Sequence, residues 1–144
     1  MTTIILTIIG ILLAAAAALM VIFYGGDAFN AGSIGAQANT LQNAGTNVIS
    51  AVQLQKAETG TGHSASVAGL APSYLKEVPA LTGIGTLNDD ISAESFTVAL
   101  AAKGDKNADA VCARVNKNLK RTTTTGKVGK MGCDEQDNVF FANL

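Results

Sequence analysis

Residues Thr3 to Gly26 form a run of 24 without a charged side chain, and this run constrains the fold more than any other feature of the chain. As a helix rising about 1.5 Å per residue it extends roughly 36 Å, enough to cross a hydrocarbon core of about 30 Å. A secretory signal is basic at its start, shorter in its apolar part and closed by a small-residue cleavage site. Here the first Lys or Arg is Lys56, so the segment is expected to be retained, as a permanent anchor or as the buried stem of something that leaves the membrane. Its interior is Ile, Leu, Val and Ala, with Gly10 and the run Ala14 to Ala18. In lipid no hydrophobic force drives helices together, and small residues let backbones approach. Packing of the stem against copies of itself is therefore the functional expectation; an alanine-rich anchor is the plainer one.

Charge divides the chain in the same place. Asp27 is the one charged residue before position 55, while all 10 Lys and Arg and the other acids follow it. An apolar stem thus carries a polar head, of the size of one small soluble domain. A net charge of −1 and a pI near 5.7 give no global attraction to nucleic acid or to an anionic membrane surface. Both cysteines, Cys112 and Cys133, lie in the head. Outside the cytoplasm a disulfide between them is the expectation, worth roughly 3 kcal/mol for a loop of about 20 residues. The alternative is two buried thiols; a zinc site needs further ligands, and His63 is the one histidine.

Gly25 and Gly26 end the apolar run, and each costs about 1 kcal/mol relative to Ala in a helix interior. A helix is expected to stretch or kink there without stopping. From Ile34 on, Ile34, Ala38, Leu41, Gly45, Val48 and Val52 recur at spacings of three and four. That stripe predicts a continuing helix laid against a globular body, with Gln37, Asn39, Gln42, Asn43, Asn47 and Gln53 on its other faces. Thr59-Gly60-Thr61-Gly62 is expected to end it. The predicted division is an apolar helix over 1–26, an amphipathic continuation over 27–58 and a head over 59–144.

In the head, 63–88 reads as a loop region, with a helical turn from Pro72 to Pro79 that turns Leu70, Tyr74, Leu75 and Val78 inward. Glu94 to Leu100 alternates as a strand. Asn107 or Asp109 is expected to cap a helix from Ala108 to Leu119, whose buried side carries Ala108, Val111, Cys112, Val115 and Leu119. Thr122 to Thr125 is β-prone, and Val139-Phe140-Phe141 is a last strand. The fold class is α+β: a long N-terminal helix bearing a small antiparallel sheet.

The inventory for catalysis is poor. His63 sits in a Gly/Ser-rich loop without a nucleophile motif, and reads as a surface histidine. Asp134, Glu135 and Asp137 read as a solvated acidic loop before a calcium site, and Asp89-Asp90 as a turn or cap. No enzyme activity, metal or cofactor is expected. Lys117, Lys120, Arg121, Lys127 and Lys130 form a basic run without interleaved aromatics, so nucleic acid is the less favoured partner.

An apolar N-terminal helix, an amphipathic continuation, the 70–79 segment, the strand Phe96 to Leu100 leading to a helix with Cys112, and Gly132-Cys133 before a terminal apolar strand resemble type IV pilins. Within that family the chain is most similar to the type IVb group. The resemblance implies a structural subunit held in the inner membrane, then polymerised into an extracellular pilus. Its implied partners are copies of itself, an inner-membrane assembly platform and a prepilin peptidase that leaves Met1 as the processed N-terminus. The filament core would take Ile4, Ile5, Leu6, Ile8, Ile9, Leu12, Leu13, Leu19, Ile22 and Phe23, with Gly25 and Gly26 as the loosening point. Family members usually carry glutamate at the fifth position, where this chain has Ile5. The hydroxyls of Thr2, Thr3 and Thr7 are then the expected neighbours of the Met1 amine. Across subunits, Lys120 and Arg121 are expected to meet Asp134 and Glu135. The alternatives are a pseudopilin or minor pilin of a secretion system, or a membrane-tethered extracytoplasmic binding domain.

Overall fold

The structure, a computed structural model, describes residues 2–60 and 62–144. Helix α1 spans Thr2–Thr59, 58 residues without interruption at Gly25-Gly26. It ends at Gly60, whose φ of +63° suits the residue after a helix and whose N–H bonds the Lys56 carbonyl at 3.1 Å. After a short 3₁₀ turn at Ala68–Leu70 come β1 (Thr86–Asn88), β2 (Ser95–Ala99), α2 (Lys106–Asn118), β3 (Met131–Asp134) and β4 (Val139–Asn143). The strands form one antiparallel sheet in the order β1-β2-β4-β3. Residue contacts divide the chain into Met1–Ser33 and Ile34–Leu144.

In the second unit, α1 buries Ala38, Leu41, Gly45, Val48 and Val52 of the predicted stripe, leaves its first member Ile34 half-buried, and adds Ala44 and Ala51. The added alanines widen the seam enough to seat a sheet. Gly45 marks the closest approach: a Cβ there would lie 3.0 Å from Phe140 Cζ and 3.0 Å from Met131 Cε. Pairing register puts Phe96, Val98, Phe140, Ala142 and Cys133 on one face of the sheet. There they join Val111, Cys112 and Val115 of α2 in the core. Phe96 and Phe140 meet edge to face with centroids 6.3 Å apart.

The opposite face is covered without a helix. Phe141 is fully buried there, with the Arg121 guanidinium 4.8 Å from its ring centroid. The Arg121 side chain also crosses Gly132, where any Cβ would collide with it. The Thr122 to Thr125 stretch, expected to be β-prone, is irregular chain that follows this arginine; Arg121 Nε donates to the Thr123 carbonyl at 3.0 Å.

Several local expectations are corrected. Helix α2 starts at Lys106 because Asp105, and neither Asn107 nor Asp109, caps it: its carboxylate accepts the N–H groups of Asn107 and Ala108 at 3.0 and 2.9 Å. Leu119 lies past the helix end and is exposed. The helical turn near Pro72 lies before the proline, at Ala68–Leu70. Leu70 and Leu75 are buried as expected, whereas Val78 is exposed and Tyr74 half-buried, its hydroxyl held above the ordinary tyrosine range chiefly by the neighbouring Glu58 carboxylate. Strands β1 and β3 were not expected: three residues are too few to show alternation, and Met-Gly-Cys-Asp carries little β-propensity.

Candidate functional site

Three features bear on function: the apolar half of α1, the closed outer edge of β3 and the charged loops of the sheet.

Ile4, Ile5, Leu6, Ile8, Ile9, Leu12, Leu13, Leu19, Ile22 and Phe23 are all exposed, from 48% at Ile9 to 72% at Phe23. At about 100° per residue they cover a little over half of the helix circumference, and the remaining side carries Thr3, Thr7, Gly10, Ala14 and Val21, so no side of the segment is charged. A Cβ added at Gly10, Gly25 or Gly26 would meet no other atom within 4 Å. Helix α1 is long and apolar enough to cross a membrane. An apolar surface this extended marks contact with lipid or with another protein surface. Near its start, the Thr7 hydroxyl donates to the Thr3 carbonyl at 2.8 Å, which satisfies it inside the helix and leaves its oxygen able to accept. Met1 and the Thr2 side chain lie outside the described residues, and with them the processed N-terminus.

Cys112 and Cys133 form a disulfide, with Cα atoms 5.3 Å apart and both residues fully buried. It joins α2 to β3. Beside it, Asn116 is 3% exposed and treats β3 as a neighbouring strand would. Its Nδ2 donates to the Cys133 carbonyl and its Oδ1 accepts the Cys133 N–H, both at 2.9 Å. Two residues farther along the chain, the Glu135 N–H bonds the Thr124 carbonyl at 2.8 Å. The outer edge of β3 is thereby closed by side chain and loop, one of the ways native sheets avoid adding further strands.

The four residues expected to make charge contacts between subunits are placed differently from one another. Arg121 is half-buried over Phe141. Asp134 is buried and accepts the Gln136 N–H at 3.0 Å. Glu135 accepts Asn116 Nδ2 at 2.9 Å. Lys120 has an exposed side chain. Three of the four thus have work inside their own chain. The run of cations beyond them stays outward: Lys117, Lys127 and Lys130 are exposed.

Asp89 and Asp90 were expected to serve a turn or cap, and they do. Asp89 Oδ1 accepts the Ala68 N–H at 2.8 Å and Asp90 Oδ1 the Ser92 N–H at 2.9 Å. The bonds from the Ser92 hydroxyl and N–H hold the Asp90 carboxyl below the usual range. His63 Nδ1 lies 2.6 Å from the Ser64 carbonyl in a half-buried loop. Among the described residues no group of three His, Cys, Asp or Glu is placed to hold a metal. Asn116 and Asp105 were missed from sequence; Asp105 was legible as an Asp immediately before a polar helix start, whereas Asn116 carries no sequence signal of its partner. No family model matches the chain, and no curated protein or solved structure is significantly similar to it.

Proposed function

We propose that this chain is a structural subunit that is stored in a membrane through the apolar half of α1 and polymerises into a pilus-like filament, its heads outside. The observation that carries this reading is the contrast between the two halves of one helix. From Ala38 to Val52 one face is seated on its own sheet, whereas from Ile4 to Phe23 every large side chain is exposed. A tether needs only the apolar first half. An apolar half this exposed, on a helix whose other half is seated on a sheet, supports a subunit that packs on its copies, trading lipid for close van der Waals contact at similar dehydration.

The resemblance to type IVb pilins supports the same reading and adds an extracellular fibre, an inner-membrane pool, an assembly platform and a processing peptidase. The subunit itself performs no reaction. Electron microscopy of sheared cell-surface material is the test. Filaments composed of this chain are the expected result. A detergent-soluble monomer that stays with the membrane rejects the reading in favour of a tethered binding domain, and its presence only at the tips of other fibres favours a minor pilin.

A further inference from the structure

The register of the sheet places opposite charges at the two ends of one rim. Asn88 pairs with Thr97, Ser95 with Asn143 and Met131 with Ala142. The end of β1, the start of β2, the end of β4 and the start of β3 therefore lie side by side. Asp89 and Asp90 leave the rim at the β1 end, both exposed. Lys127 and Lys130 stand at the β3 end, also exposed. Their loop is held in place by Asn143, whose N–H bonds the Lys130 carbonyl at 2.8 Å and whose Nδ2 bonds the Gly129 carbonyl at 2.6 Å. Between the lysines, Val128 is 65% exposed.

These charges do not satisfy each other within one chain. Three strand spacings of about 4.8 Å separate the outer strands by roughly 14 Å, more than the screening length of about 8 Å at physiological ionic strength. Among the described residues the ion pair is Lys56 with Glu94 at 3.7 Å, and neither the two lysines nor the two aspartates joins it. A neighbouring copy at the same level, edge to edge, brings the two ends together.

We propose that adjacent copies of this chain join through their heads by a contact in which Lys127 and Lys130 of one copy face Asp89 and Asp90 of the next, with Val128 as its apolar centre. This rests on the reading of the chain as a polymerising subunit. Set with the β1 end of one copy against the β3 end of the next, the two patches make a head-to-tail contact, which repeats into an open fibre where its rotation does not close. It also leaves Arg121, Asp134 and Glu135 to their bonds inside the chain.

The test is filament yield from the full chain, counted by electron microscopy of sheared material, with the 112–133 disulfide and helix content checked for each variant. K127E/K130E turns both ends of the rim acidic and is expected to cut the yield about tenfold at roughly 0.15 M salt. Adding D89N/D90N to it removes the repulsion while keeping the Oδ1 acceptors for Ala68 and Ser92, and is expected to recover several-fold of the loss. K127Q/K130Q, which has no new repulsion, is expected to assemble with a flattened dependence on salt. Wild-type yield from K127E/K130E, or a combined variant worse than K127E/K130E, overturns the contact and leaves assembly standing. Absence of filaments from the wild-type chain overturns both.

Discussion

At the scale of single residues, the head depends on side chains that complete the backbone. Asn116 is the clearest. Replacing it with Ala leaves a buried N–H and a buried carbonyl of Cys133 unpaired, at about 1–3 kcal/mol each. N116A is expected to lower the stability of the 34–144 unit by about 3 kcal/mol, read from its denaturant midpoint at unchanged slope. Gly45 has the opposite sensitivity, to added volume. The Phe140 ring is fully buried and cannot retreat, so overpacking of about 1–3 kcal/mol exceeds the gain of about 1 kcal/mol in helix propensity. G45A is expected to be destabilising by about 1 kcal/mol in the same assay. Asp90 titrates below its ordinary range, so the stability it adds is present above that range and is lost as pH falls through its folded value. D90N is expected to remove that part of the acid dependence by lowering neutral stability towards the acid value, because Asn keeps an acceptor for Ser92 without the carboxylate's charge. Asp105 shows how far such detail could be read in advance. The presence of a cap was legible, but the two candidates named, Asn107 and Asp109, lie inside the helix, and the carboxylate that reaches the first N–H groups is that of Asp105, just after the turn at Gly104 with φ of +97°.

At the scale of elements, what was legible follows from periodicity. Helix α1 repeats its apolar positions over many turns, and α2 over three, so both could be found and their buried faces named. The strand over 95–99 alternates and was found too. β1 and β3 were not legible, because their membership in the sheet is conferred by neighbours: β1 by pairing with β2, β3 by pairing with β4 and by the Asn116 bonds. The disulfide acts at this level, fixing α2 to the strand whose outer edge is otherwise held by one side chain. C112S/C133S is expected to cost about 3 kcal/mol and to release the β3 edge first, visible as faster amide exchange at Cys133 and Glu135. The second half of α1 belongs with the sheet by its contacts, so a chain beginning at Ile34 is expected to be a soluble monomer that unfolds in one cooperative step. Gel filtration and calorimetry check this; aggregation of that unit would show that the first 33 residues cover part of its core.

At the scale of the whole molecule, the role proposed for the stem separates into storage and packing, which can be tested apart. Replacing all five residues from Ala14 to Ala18 with leucine keeps the segment apolar and thickens it. Retention in the membrane is expected to be unchanged and filament yield to fall, since bulk keeps helix backbones apart. Equal yields would mean that the alanines serve only as filler. What the sequence could not disclose at this scale is the rim from which the contact between heads is proposed, because that depends on which strands become the outer ones. Lys127 and Asp90 are unremarkable in a linear reading and become opposite poles only through the order β1-β2-β4-β3. The closed edge of β3 has a consequence for material behaviour. Heads crowded at high local density along a fibre are in the setting where exposed strand edges fuse into cross-β deposits, with their hallmark spacing of about 4.8 Å. With Asn116 occupying the outward groups of Cys133, neighbouring sheets have no free groups there on which to anneal. A fibre of such subunits should therefore stain poorly with amyloid dyes, come apart in detergent and yield its subunits folded.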